Sequence, residues 1–176
     1  MTASTRKVLV YSRLSPAGIK IAVKPGLSKT QVKKNHIVCK VICAGLNPVD
    51  AKYLVGDKLP QFVDDIVGRR SVEGLGVGFD FSGVVLAVPK GEEDGDYKLG
   101  DFVYGTTGIG TASVADECVV PLHQVCHMPH SLTFAEASCL PLIGSTALQA
   151  FRPYFDIRHV IPQEKSYLNR PGKSTR

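Results

Sequence analysis

The stretch V-I-C-A-G-L-N-P-V-D-A-K-Y-L-V-G, from Val41 to Gly56, decides how the rest of the chain is read. It continues an apolar run that begins at Ile37, and Ile37 to Cys43 reads as a buried strand. Ala44 and Gly45 bring small residues to the end of that strand, and Asn47-Pro48 turns the backbone. Asp50 is placed to cap the next segment, and Asp50 to Val55 leaves room for about one helical turn before Gly56. A strand that runs into a turn lined by Asn and Asp gathers hydrogen-bond donors and acceptors at one point. Such a point suits a ligand.

Upstream, Lys7 to Tyr11 and Ile19 to Val23 read as a hairpin joined through Ser15-Pro16-Ala17-Gly18. Pro25-Gly26 ends its second strand, and Thr30 to Asn35 is a polar connection. Downstream, Asp57 to Leu75 is irregular, with Phe62 and Ile66 spaced for a short amphipathic helix. The segment from Gly76 to Val88 reads as a turn and then a strand. Small Ser82 and Gly83 mark a place where another backbone comes close. Lys90 to Lys98 forms a charged loop, and further strands are expected over Leu99 to Gly105, Ala112 to Pro121 and Val125 to Pro129. Ser131 or Thr133 caps a helix that begins here, with Glu136 spaced for a capping box with Thr133; Pro141 interrupts that helix and Ser145 to Phe151 resumes it. After Phe151 the pattern dissolves into a polar, Pro-broken, basic segment. Residues 1–151 therefore read as one mainly β domain with short helices, and 152–176 as an irregular basic tail.

Composition narrows the function classes. A hydrophobic content of 44%, with seventeen Gly and eleven Pro among 176 residues, suits a turn-rich β domain able to bury a core. No run approaches the roughly 20 apolar residues of a membrane span. The opening residues lack an apolar signal core, so the cytoplasm is the default compartment; their acid-free, Ser/Thr/Arg-bearing character also fits a short mitochondrial leader. The net charge of +5 is unevenly spread, for no acidic residue precedes Asp50. No aromatic residues interleave with the early lysines to stack on bases, so we read them as solvated faces of edge strands and expect no nucleic-acid partner. Five cysteines, odd in number and without a C-x-x-C pair, argue against a disulfide framework and a zinc ribbon, and most of them read as small core hydrophobes.

Four blocks in order carry a family resemblance: A-G-L-N-P-V-D-A-K (Ala44 to Lys52), G-F-D-F-S-G-V-V (Gly78 to Val85), G-D-F-V-Y-G (Gly100 to Gly105) and A-E-A-S-C-L-P-L-I-G-S-T-A-L-Q-A (Ala135 to Ala150). Together they make residues 7–151 resemble the zinc-independent medium-chain dehydrogenases/reductases of the quinone oxidoreductase-like branch. The resemblance implies a GroES-like, bent antiparallel barrel, followed in the family by a Rossmann domain that binds NADPH. The chain is expected to stop before that second domain, at Pro171-Gly-Lys-Ser174. It implies a small-molecule substrate, a quinone or an α,β-unsaturated carbonyl. It also implies site residues: Asn47 and Asp50 lining the cleft, Tyr53 and Lys52 as nearby donors, and Thr146 facing the nicotinamide end of the cofactor. Asp80 falls on an acidic slot of the family motif, where a structural role is open. Zinc-dependent relatives place Cys where Asn47 stands and His where Phe79 stands. Neither Asn nor Phe supplies a thiolate or imidazole, so no metal site is expected.

Other suggestive patterns weigh less. Gly105-Thr-Thr-Gly108-Ile-Gly110-Thr lacks the third glycine of a dinucleotide loop and leads into an alternating, strand-like run. His123, Cys126, His127 and His130 are metal-ligand types, but a strand and a Pro-ended loop splay them apart. Two functions remain in view. One is the catalytic domain of an NADPH-dependent quinone or enoyl reductase-like enzyme, inactive as this chain alone. The other is a degenerate GroES-like interaction module whose open barrel edge binds a partner.

Overall fold

Runs of branched apolar residues, in places alternating with polar ones, make the strands of this chain. A computed structural model describes residues 4–12, 17–55, 74–91, 95–108 and 111–151. Within them, β1 (Thr5–Tyr11) and β2 (Ile19–Pro25) pair antiparallel as the expected hairpin. A five-stranded antiparallel sheet is built from β3 (His36–Gly45), β4 (Asp80–Ala87), β5 (Phe102–Thr106), β6 (Glu117–Pro121) and β7 (Val125–His127), in the order β6-β3-β4-β5-β7. Among the described residues there are also three short α-helices, α1 (Pro48–Val55), α2 (Phe134–Ser138) and α3 (Pro141–Phe151), and a single 3-10 turn over Leu122–Gln124.

The sheet curls because its free flank is tied to the hairpin. On the side of β1 away from β2, Tyr11 N–H donates to Leu75 O at 2.9 Å, and Leu9 N–H to Val114 O at 2.9 Å. Asp116 then joins the two layers, its N–H donating to Lys7 O at 3.0 Å while its carbonyl accepts from Val41 N–H at 3.1 Å. The result is a mainly β, curled antiparallel half-barrel, the fold class that the resemblance implied.

Ile37, Cys39, Phe81, Val85, Val103, Cys118, Val120 and Val125 fill its interior. Each fully buried branched or aromatic side chain of this kind is worth about 1.5–3 kcal/mol. Gly83 marks the close approach read from sequence: a Cβ there would collide with Lys40 O, beside the irregularity between Val41 and Cys43. Only a bare backbone fits.

Three expectations change. The strand expected over Ala112 to Pro121 is regular only from Glu117, because Ser113 and Val114 spend their N–H groups on Gly78 and Val77 rather than on a ladder. The last helix begins at Pro141 and not at Ser145. Proline lacks an N–H that the first helical residue does not need, so it opens α3 where sequence reading took it as an interruption. Asp50 is not a cap that precedes its helix, because α1 already starts at Pro48. The capping box of Thr133 and Glu136 is present at α2. The tight turn through Ser15-Pro16, the helix expected around Phe62 and Ile66, and the basic tail 152–176 lie outside the described residues.

Candidate functional site

The bend at the end of β3 is assembled from buried polar groups, each of which needs a partner. Asn47 is the N-cap of α1, and its carbonyl accepts from Asp50 N–H at 2.9 Å. Asp50, in the third position of the helix, reaches back, so that Asn47 N–H donates to Asp50 Oδ2 at 2.7 Å. This is the return half of a capping box. The second oxygen, Asp50 Oδ1, accepts from Gly78 N–H at 3.1 Å. Gly78 has φ +89°, and a Cβ on it would collide with Ser113 Oγ, so glycine alone presents its N–H there. From β1, Tyr11 Oη donates to Asp50 O at 3.0 Å.

Asp80, the first residue of β4, is the second centre. Asn47 Nδ2 donates to Asp80 Oδ2 at 3.0 Å. Leu142 N–H donates to both Asp80 oxygens, at 3.1 and 3.2 Å. Leu142 lies in the first turn of α3, so a side chain from β4 satisfies an N–H that the helix cannot, and its negative charge faces the positive end of the helix dipole. One carboxylate thus fastens the Asn47 bend to the start of α3. Thr146 stands one turn further along α3, exposed, with its hydroxyl donating to Leu142 O at 2.8 Å.

Both carboxyls are held above the ordinary carboxylate range. Burial is the main cause for Asp50, opposed by the N–H groups of Asn47 and Gly78. Burial also leads for Asp80, opposed by the Asn47 amide and Leu142 N–H and reinforced by the charge of Asp50. With Asp50 and Asp80 at 5% and 1% exposure, their oxygens organise backbone rather than face an open cleft.

The structure therefore brings Asn47 and Asp50 together and joins Thr146 to them through Asp80. Tyr53 falls on α1, with its side chain and that of Lys52 outside the described residues. Sequence reading missed Tyr11, Gly78 and Leu142; only the Gly-rich run before Asp80 hinted at one of them. The histidine–cysteine segment is put to other use. His127 stacks on Tyr97 with ring centroids 4.7 Å apart, and its Nε2 lies 2.9 Å from Asp96 O, closing the hairpin loop. Among the described residues no three His, Cys, Asp or Glu side chains converge to hold a metal ion. At the bend, Asn47 has an amide nitrogen committed to Asp80, and Phe79 offers no lone pair. Among the described helices none is long and apolar enough to cross a membrane.

No protein-family model matches the chain. It is 30% identical over 136 residues to a 2-methylene-furan-3-one reductase of Solanum lycopersicum, covering 73% of this chain and 32% of that protein. It is 29% identical over 128 residues to the probable polyketide synthase 40 of Dictyostelium discoideum, covering 73% of this chain and 4% of that protein. Among solved structures, the quinone oxidoreductase from Coxiella burnetii superposes with a TM-score of 0.69 at 25% identity, over 85% of this chain and 45% of its own. The chain thus spans less than half the length of each of these proteins. In this fold, this bend and these relatives, the chain resembles the medium-chain dehydrogenase/reductase family, in its quinone oxidoreductase-like branch.

Proposed function

We propose that the chain is the substrate-side, GroES-like catalytic domain of an NADPH-dependent, zinc-independent reductase acting on a quinone or an α,β-unsaturated carbonyl in the cytoplasm. The observation that carries this reading is the double use of Asp80, which fixes the Asn47 bend and the α3 helix of Thr146 in one rigid frame. Positioning of that kind is what a protein contributes when a cofactor supplies the reactive group. Bound NADPH would supply the hydride. Thr146, exposed on α3, has a hydroxyl whose oxygen still accepts hydrogen bonds, which fits an approach to the nicotinamide carboxamide. Asn47 would line the substrate face, oriented by Asp80, while Asp50 keeps the bend in shape. A carbonyl in this cleft would be polarised by hydrogen-bond donors rather than by a resident metal, with Tyr53 as the proposed further donor.

The 176 residues contain no Gly-rich phosphate loop set between a strand and a helix, so the nucleotide is expected to be held by a Rossmann domain outside them. Alone, the chain should neither bind NADPH tightly nor turn over. Titrating the pure chain with NADPH and with a fully alkylated benzoquinone, which cannot add thiols, tests both halves. The expected result is no micromolar NADPH binding, and amide shifts at Asn47, Gly78 and Thr146 on adding the quinone. Micromolar NADPH affinity would overturn the divided site, and an unmoved bend would overturn the substrate-side role.

A second reading has its own support. Ile21 and Val23 on β2 are 68% and 67% exposed, and Ile143, Leu148 and Phe151 on α3 are more than half exposed. Apolar side chains displayed in this way suit a non-catalytic interaction module. That reading gains if the quinone leaves the bend unmoved.

A further inference from the structure

Cys39 and Cys118 are direct partners across the β3–β6 ladder. Both belong to the apolar interior, at 0% and 2% exposure. Directly opposed residues of an antiparallel pair lie about 4.5–5.5 Å apart at Cα and send their side chains to the same face. That spacing is inside the roughly 4.4–6.8 Å over which a disulfide closes without backbone movement. The other cysteines are arranged differently: Cys43 faces Ser82 and Cys126 faces Tyr104 in their ladders, while Cys139 is exposed just after α2. The pair therefore stands apart from the remaining thiols by register.

We propose that Cys39 and Cys118 form a reversible cross-strand disulfide when the chain meets a small two-electron oxidant of the peroxide class. Access comes through β6, which is five residues long and lies at the end of the sheet, so it opens at less cost than an interior strand. Contact with the Cys39 thiol, and then burial, push the Cys118 thiol well up, while the nearby Arg6 guanidinium draws it down. Arg6 is anchored on the same strand, its Nη1 donating to Glu117 O at 2.9 Å. Closed, the thiols are protected; opened, Cys118 regains water and keeps the cation, so it is the attacking group. Its thiolate sulfur takes one peroxide oxygen with its hydrogen as the O–O bond breaks, giving a sulfenic acid, and the departing hydroxide takes up the proton that the thiol had released and becomes water. The Cys39 sulfur then attacks that sulfur, the S–O bond breaks, and the departing hydroxide takes the Cys39 proton as a second water. Two electrons have passed from the two sulfurs to the peroxide. The new S–S bond closes a loop of about 80 residues and ties the end strand to its neighbour.

Hydrogen peroxide applied to the 176-residue chain under native conditions, followed by peptide mapping with and without reductant, tests this. A Cys43→Ser, Cys126→Ser, Cys139→Ser variant gives the cleaner mass reading, and the unaltered chain guards against a folding defect in it. The expected result is a loss of 2 Da located in one Cys39–Cys118 linkage, reversed by dithiothreitol and abolished by Cys118→Ser. The thermal midpoint should rise by about 10 °C. Oxygen adducts on these cysteines without linkage, or a bridge that forms only in unfolding concentrations of urea, would overturn the proposal.

Discussion

Asp80 and Phe81 are neighbours in β4 and equally inaccessible, at 1% and 0% exposure, yet they hold the molecule together in opposite ways. Phe81 faces the apolar interior and contributes through area, with Ile37, Val103 and Val120 around it. Another apolar residue of similar volume would serve nearly as well. Asp80 faces the bend and contributes nothing through area. It depends on an amide from the end of β3 and an N–H from the start of α3, more than sixty residues along the chain. The interior makes the domain stable, while the polar centre decides which segments meet.

The largest expected effect is Phe81→Ala, which should cost about 3–5 kcal/mol in urea unfolding, whereas Phe81→Leu should cost about 1. A loss for Phe81→Ala below about 1 kcal/mol would break the contrast. Asp80→Ala comes next, at about 3 kcal/mol, because it strands one buried donor and one half-buried donor. Its distinctive mark is spectroscopic: amides of Leu142 and Thr146 should move together with Asn47, which a mere loss of packing at Phe81 would not produce. Thr133→Ala removes a cap on α2 and should cost about 1 kcal/mol, with Asn47 unmoved.

The subtlest effect concerns pH. Burial leaves Asp50 and Asp80 with carboxyls that hold protons after the unfolded chain has released its own. Stability from this pair is therefore greatest in acid, falls as pH rises from about the ordinary value of 3.8 to the raised folded values, and is flat above them. The stability of the wild type minus that of Asp80→Asn should decline across that window in urea titrations at stepped pH. A difference that climbs there would mean that hydrogen bonding outweighs burial at the bend.

Much of this architecture is legible in the sequence. Ile37 to Cys43 is apolar enough to be a buried strand, Asn47-Pro48 turns it, and Thr133 with Glu136 announces α2, since each signal is local. Gly83 was legible too, because a bare residue inside a strand points to an approaching backbone. What escaped was set by distance along the chain. Nothing near Asp80 says that its partner is Leu142, and nothing near Tyr11 says that its hydroxyl reaches Asp50. Pro141 escaped for another reason, because a proline can end one helix or open the next, and only the preceding turn settles which. Asn47 and Asp50 were found as a polar bend, but the sequence did not show that Asp50 would be consumed by backbone N–H groups.

Helix α3 has eleven residues and none of them is buried, while Asp80 grips its first turn. Besides that grip it lies against β4 and β5. Over its length of about 16 Å, a tilt of about 10° at the base would swing the tip by about 3 Å. A small change in the footing would thus be magnified along the helix, and the Asp80 oxygen pair at its foot helps to set the direction in which Thr146 is carried.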